Sequence, residues 1–306
     1  MELTVERLIL WGFALVLGSV VLFNLDLMPE KRPTWTEGAA WRSCAVPDAE
    51  PNPAQRVRRC TETIDAGQRG MAEQTAPLPV ATTEALALAF NNRGLARAAR
   101  NEFDAAIRDY DEALKLRAEF AEAFFNRAIA HEHKGQFDLV IRDYTSAIRL
   151  RPDDANLLNN RGFTFANRGQ YERALRDYDE AIRLKPDEPG ARSNRCLAHA
   201  LTGRPAQAVE DCTRSLATRP NHATTLATRG LAQLQLARLT EARADYDAAN
   251  RLDPQSAWAL YGRAMVREAQ GDGPGATADF AEARKRAKND VEWQNVELVL
   301  GQYRKR

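Results

Sequence analysis

A chain of 306 residues is long enough for two ordinary domains, or for one open array that needs no central core. Its 43 Lys and Arg nearly cancel 42 Asp and Glu, so no basic field argues for nucleic acid and no nucleic-acid partner is expected. A charged fraction of 28% is ordinary for a soluble protein, and the heavy use of Ala and Arg suits solvated helices.

The first 28 residues depart from that pattern. Leu8 to Phe23 (LILWGFALVLGSVVLF) carries no charge, and Asn24 and Asp26 interrupt the apolar run before it ends at Met28. As a helix, Leu8–Phe23 would be about 24 Å long, or about 30 Å if carried to Leu27, against a hydrocarbon core of ~30 Å. No small-x-small cleavage site follows directly, so residues 1–28 are expected to be an uncleaved signal anchor or transmembrane segment, in contact with the membrane through residues 8–28. A cleaved signal with a soluble exported product, or a buried soluble helix, are the alternatives. Arg7 on one side and Lys31 with Arg32 on the other favour a chain facing the cytoplasm.

Residues 29–36, with Pro29 and Pro33, read as a tether. Residues 37–70 read as a degenerate copy of the unit described next, and residues 71–86, with Pro77 and Pro79, as a linker.

From residue 87 to residue 290 the sequence repeats with a period of 34 residues, six times in succession. Ala155–Glu188 (ANLLNNRGFTFANRGQYERALRDYDEAIRLKPDE) shows the unit. Counted from Ala155, Asn-Arg-Gly fills places six to eight, Ala place twenty, Asp-Tyr places twenty-three and twenty-four, and Pro place thirty-two. A fixed period of this length marks a stacked repeat architecture. Apolar and small residues at three- and four-residue spacing predict two helices per unit. Gly169 closes the first helix and Pro186 stops the second; Gly135, Gly203 and Gly271, then Pro152, Pro220 and Pro254, stand at the same places elsewhere. Residues 291–306 predict one further helix, a polar cap on the last unit.

Place eight holds Gly94, Ala128, Gly162, Gly230 and Ala264. Place twenty holds Ala106, Ala174, Ala208, Ala242 and Ala276, and place twenty-four Tyr110, Tyr144, Tyr178, Tyr246 and Phe280. In spacing and in these residues the chain resembles the tetratricopeptide repeat. The resemblance implies an all-α, right-handed superhelical solenoid of helix-turn-helix units and a non-catalytic role in binding a protein or peptide partner. One departure is consistent: where the family often has Leu at place seven, every unit here has Arg.

Comparing the six copies singles out three sets of residues. Arg93, Arg127, Arg161, Arg195, Arg229 and Arg263 occupy place seven, and Asp109, Asp143, Asp177, Asp211, Asp245 and Asp279 place twenty-three. Facing each other across the hairpin at one height, they are expected to form structural ion pairs; the alternative is a row of arginines awaiting an acidic ligand. Asn92, Asn126, Asn160 and Asn194 occupy place six, which in the family faces the inner groove. Some family members use such an asparagine ladder on a peptide backbone, and the resemblance extends that role to these four, with Phe125, Asn159 and Phe163 beside them. The other reading is that the amides satisfy local backbone groups or water. Places two, five and six carry no Lys or Arg, which disfavours the family variant that clamps C-terminal carboxylates.

The third set is cysteine. Cys44 and Cys60, and again Cys196 and Cys212, fall at places eight and twenty-four, equidistant from the turn. Each pair is placed to bridge its own hairpin as a disulfide; buried free thiols are the alternative. Disulfides imply an oxidising compartment, so the expected location is the bacterial inner membrane with the repeats in the periplasm, and a cytoplasm-facing adaptor with reduced cysteines is the rival reading. Self-association through an exposed end of the array is a further option. No catalytic motif is present: His131-Glu132-His133 lacks metal-site spacing, and Gly271-Asp272-Gly273-Pro274-Gly275 follows no strand. No enzyme activity, cofactor or metal is expected.

Overall fold

The computed structural model describes residues 44, 52–72, 80–287 and 290–304. The expected anchor over 1–28 and the tether over 29–36 lie outside the described residues. No described helix is long and apolar enough to cross a membrane.

Every described element is an α-helix. Two longer helices, α1 (Pro53–Ala72) and α2 (Val80–Ala98), come first. Then follow α3 (Phe103–Leu116), α4 (Ala121–His133), α5 (Phe137–Leu150), α6 (Ala155–Asn167), α7 (Tyr171–Leu184) and α8 (Pro189–Leu201). The series closes with α9 (Pro205–Thr218), α10 (Ala223–Gln235), α11 (Leu239–Leu252), α12 (Ala257–Ala269), α13 (Gly273–Arg286) and α14 (Asp290–Arg304). The first helices of units two to six are 13 residues each and the second helices of all six units 14, so the sequence period is kept residue for residue.

The chain divides into two compact bodies, one holding the described residues up to Asp153 and the other those from Asp154. Within each body, the two helices of a unit pair as a hairpin and each hairpin packs on the next. The turn between paired helices is made at place fifteen, where the chain takes a left-handed conformation: φ is +68° at Gly135, +70° at Gly169, +74° at Gly203 and +82° at Gly271. Glycine adopts this at no steric cost. Asn101 (+62°) and Ala237 (+56°) stand at the same place in the other two units. Asparagine tolerates the region, whereas Ala237 bears a cost of about 1–2 kcal/mol for its Cβ.

Small residues at place eight let the paired helices close around the tyrosine of place twenty-four. A Cβ on Gly162 would sit 2.8 Å from Tyr178 Cε1, and Tyr110, Tyr144, Tyr178 and Tyr246 are all buried. Place six of the last unit explains one break in the asparagine row. A Cβ on Gly262 would run into the ring of Tyr246 from the unit before, so that position admits neither Asn nor any other side chain without rearrangement.

One boundary differs from expectation. The stretch 71–86, expected as a linker, is helical at both ends: α1 continues to Ala72 and α2 begins at Val80, with Thr82, Ala85 and Leu86 buried. Pro79 directly precedes α2, in keeping with a proline at a helix start.

Candidate peptide-binding face

The hairpins are held in register by charge. In each unit the guanidinium of place seven meets the carboxylate of place twenty-three through two nitrogens. Arg127 gives 2.8 Å (Nε to Asp143 Oδ2) and 2.7 Å (Nη2 to Oδ1), and Arg161 gives 2.8 and 2.8 Å to Asp177. Arg195–Asp211 and Arg229–Asp245 are 2.7 and 2.7 Å, Arg263–Asp279 2.8 and 2.8 Å, and Arg93–Asp109 3.0 and 2.8 Å. All six aspartates are buried, so the pairs act in a medium that screens them little. The hydrogen bonds from Arg195 to Asp211 hold its pKa above the usual arginine range despite burial.

The same arginines also reach backward through Nη1, a contact not expected from the sequence. Arg127 bonds Asp111 Oδ1 at 2.5 Å, Arg195 bonds Asp179 Oδ1 at 2.7 Å, and Arg263 bonds Asp247 Oδ1 at 3.1 Å. These carboxylates stand at place twenty-five of the preceding unit. Where that place holds threonine, the hydroxyl takes over: Arg93 Nη1 donates to Thr61 Oγ1 at 3.2 Å and Arg229 Nη1 to Thr213 Oγ1 at 3.3 Å. One arginine thus locks its own hairpin and fastens it to its neighbour. A second cationic or imidazole side chain at place eleven backs up four of the buried aspartates: Arg97 at 2.9 Å, Arg267 at 3.2 Å, and His131 and His199 at 3.9 Å. Burial keeps the His199 imidazole below its ordinary pKa.

A cleft of about 370 Å³ lies among α7, α8 and α9, lined by Glu172, Asp179, Arg195, His199, Arg204 and Asp211 among others. Several of its charges pair with one another: Arg204 with Glu172 at 2.5 Å, and Arg195 with Asp179 and Asp211.

The expected groove residues do not form one uniform row. Asn92, expected to face the groove, is buried at 2% exposure, with its amide donating to the Cys44 carbonyl at 2.9 Å. The degenerate copy covers it, and it is removed from the binding set. Asn126 Nδ2 donates to Asn91 Oδ1 at 2.9 Å, and Asn194 Nδ2 to Asn159 Oδ1 at 2.9 Å. Place six of one unit therefore holds place five of the unit before wherever that residue is Asn. One N–H of each amide is used in this way, and Asn126 and Asn194 remain half-buried. In the first body Phe125 is half-buried, its ring 6.0 Å from that of Tyr144. In the second body Asn159, Asn160, Phe163, Ser193, Asn194 and Leu197 are half-buried on the consecutive helices α6 and α8. The corresponding residues of α10 and α12 are buried: Ala227 2%, Leu231 0%, Tyr261 2% and Met265 3% exposed.

Both cysteine pairs have their sulfurs at bonding distance, with Cα–Cα separations of 4.8 Å for Cys44–Cys60 and 5.4 Å for Cys196–Cys212. Among the described residues no group of three acidic, histidine or cysteine side chains gathers to hold a metal. His131 is buried against Asp143, and His133 stacks on Phe103 at 4.3 Å. In the glycine-rich segment, Asp272 caps α13 by accepting the Gly275 N–H at 2.9 Å.

A fold of stacked hairpins joined by an Arg–Asp seam defines a helical repeat protein, and family models identify the repeat. Models described as TPR repeat and Tetratricopeptide repeat match residues 94–135, 155–188 and 228–291, so the chain carries tetratricopeptide repeats. A tetratricopeptide repeat protein from Parabacteroides merdae is similar at TM-score 0.61 and 16% identity, over 86% of this chain and 100% of that one. Pseudomonas aeruginosa PilF is similar at 0.58 and 21%, over 69% and 96%. YrrB, described as a TPR protein with an unusual peptide-binding site, is similar at 0.53 and 20%, over 65% and 98%. No curated protein matches the sequence. At these identities the likeness speaks for the fold.

Proposed function

We propose that this chain is a non-catalytic interaction scaffold that captures a segment of a protein partner on the first-helix faces of its repeats. The observation that carries this reading is the half-buried cluster Asn159, Asn160, Phe163, Ser193, Asn194 and Leu197. It offers amide groups for a peptide backbone beside apolar surface for its side chains. The peptide-binding site described for YrrB, on a similar fold, supports it. In a crosslinking pull-down, the triple variant Phe163→Ala/Asn160→Ala/Asn194→Ala is expected to retain a specific partner at least tenfold less than the native chain. An unchanged partner profile would remove these residues from the binding site.

The reading includes a tether: residues 1–28 anchor the chain in the bacterial inner membrane, with the repeats in the periplasm. The apolar run Leu8–Phe23 and the two cysteine pairs support it. Fused after Arg306, alkaline phosphatase, active only outside the cytoplasm, is expected to be active. A reporter active only in the cytoplasm reverses the orientation and leaves the adaptor with reduced thiols.

A further inference from the structure

Helix α14 does more than cover the last hairpin. Trp293, Val296, Leu300 and Tyr303 recur at spacings of three, four and three residues and so share one face. That face lies on the first-helix side of the second body. The Trp293 ring meets Tyr261 edge-on, centroids 5.7 Å apart, and the Arg284 guanidinium lies 5.4 Å from the centre of the Trp293 ring. Val296 and Leu300 are buried in one apolar cluster with Ala227, Leu231, Tyr261 and Met265. Gly301 lies beside the Tyr261 hydroxyl, where a Cβ would make ordinary van der Waals contact at 3.5 Å. Tyr303 reaches farther, donating its hydroxyl proton to the carbonyl of Ala200, two units back, at 3.3 Å. Burial raises the pKa of Tyr171, and the nearby Tyr303 adds to the shift.

This seat explains the contrast in burial along the second body. Residues at places five and nine are half-buried on α6 and α8 and buried on α10 and α12, where α14 lies. On the other face of α14, Glu297, Leu298 and Gln302 are exposed, so the helix is seated by one side.

The seat is largely apolar: Val296 and Leu300 lie in one buried cluster with Tyr261 and Met265. The Ala200 carbonyl also accepts Gln235 Nε2 at 3.0 Å, so that carbonyl keeps a donor when Tyr303 withdraws. Emptying the seat would, however, expose Tyr261, Met265, Leu231 and Ala227 together. It favours replacement of α14 by a similar helix over a bare face.

We infer that α14 is a tethered ligand of the α10–α12 face, and that the partner docks there with an amphipathic helix of its own, exchanging for α14. The docking helix carries aromatic, aliphatic, aliphatic and aromatic anchors at the spacing of Trp293, Val296, Leu300 and Tyr303. This rests on the reading of the chain as a scaffold, and places partner and tail in competition for one surface.

The test uses the full chain and a labelled synthetic peptide copying residues 290–304. Leu300→Arg unseats the tail, so fluorescence anisotropy is expected to show the peptide binding this variant at least tenfold more tightly than the native chain. A peptide carrying the same Leu300→Arg change is expected not to bind. On the native chain, hydrogen exchange is expected to run at least tenfold faster in α14 than in α12. Equal peptide affinity for both chains, or exchange of α14 at the rate of α12, overturns the inference. Either result leaves the pull-down with the Phe163, Asn160 and Asn194 changes to stand or fall by itself.

Discussion

Asp143→Ala is expected to cost about 3–5 kcal/mol, because it leaves the Arg127 guanidinium beside a buried site without its principal partner. Asp111→Ala, which removes the other carboxylate on the same guanidinium, is expected to cost less than about 1 kcal/mol. The difference comes from solvent. The Asp143 side chain is 3% exposed and that of Asp111 43%, although both lie within 2.7 Å of Arg127. Water and salt screen the outer pair, while the inner pair has neither to replace it. Replacing both inner partners with apolar residues, Arg127→Met/Asp143→Leu, is expected to recover much of the loss, since neither charge is then stranded. Urea unfolding followed by circular dichroism measures all three. Equal midpoints for Asp111→Ala and Asp143→Ala would mean that burial does not rank these contacts.

The second large effect is redox. Each cysteine pair closes a loop with a sequence separation of 16 residues. Cross-linking a loop of that size lowers the entropy of the unfolded chain by about 3 kcal/mol at room temperature. Reductant is therefore expected to lower the urea midpoint by about 1 M or more, given urea slopes of ~1–3 kcal/mol per M. Cys196→Ala/Cys212→Ala is expected to start from a lower midpoint and to respond to reductant only through Cys44 and Cys60. If oxidised and reduced native chain unfold at the same urea concentration, the pairs contribute nothing as cross-links. The first pair has a further effect: it ties α1 to Cys44, whose carbonyl holds Asn92, so its loss loosens the cover over the first regular unit.

Period, turn glycines and small-residue places made the hairpins readable because they report contacts inside one unit. Gly162 against Tyr178 is such a contact, and the 34-residue spacing fixes it. Contacts between units were harder to read. Place twenty-five holds Thr61, Asp111, Thr145, Asp179, Thr213 and Asp247, an alternation of hydroxyl and carboxylate visible in the sequence. Its meaning depends on knowing that the arginine of the following unit has a nitrogen left over.

Asn92 shows the opposite difficulty. Its residue type and place match those of Asn126, Asn160 and Asn194, yet the degenerate copy lies over it. Burial is set by what sits on a residue, and the copy departs from the period that would have shown where it packs. The start of α2 at Val80 carried a local signal in Pro79, masked by the two threonines and second proline nearby. The spacing of the α14 anchors was likewise visible, but the surface they meet is assembled from residues up to a hundred positions earlier, as Tyr303 on Ala200 shows.

The clash that keeps Gly262 bare has a consequence for how such a chain can change length. The arginine seam is made of parts that recur, so one interior unit presents much the same joint as another, and copying or losing a whole unit there preserves the fastening. The last joint is different. Tyr246 fits only a following helix with no Cβ at that point, and the helix that supplies it, α12, also carries Tyr261, on which Trp293 rests. A copy of an interior unit placed last would therefore bring a side chain against Tyr246 and remove the Tyr261 seat of Trp293 in one step, whereas the seam itself is rebuilt by any unit.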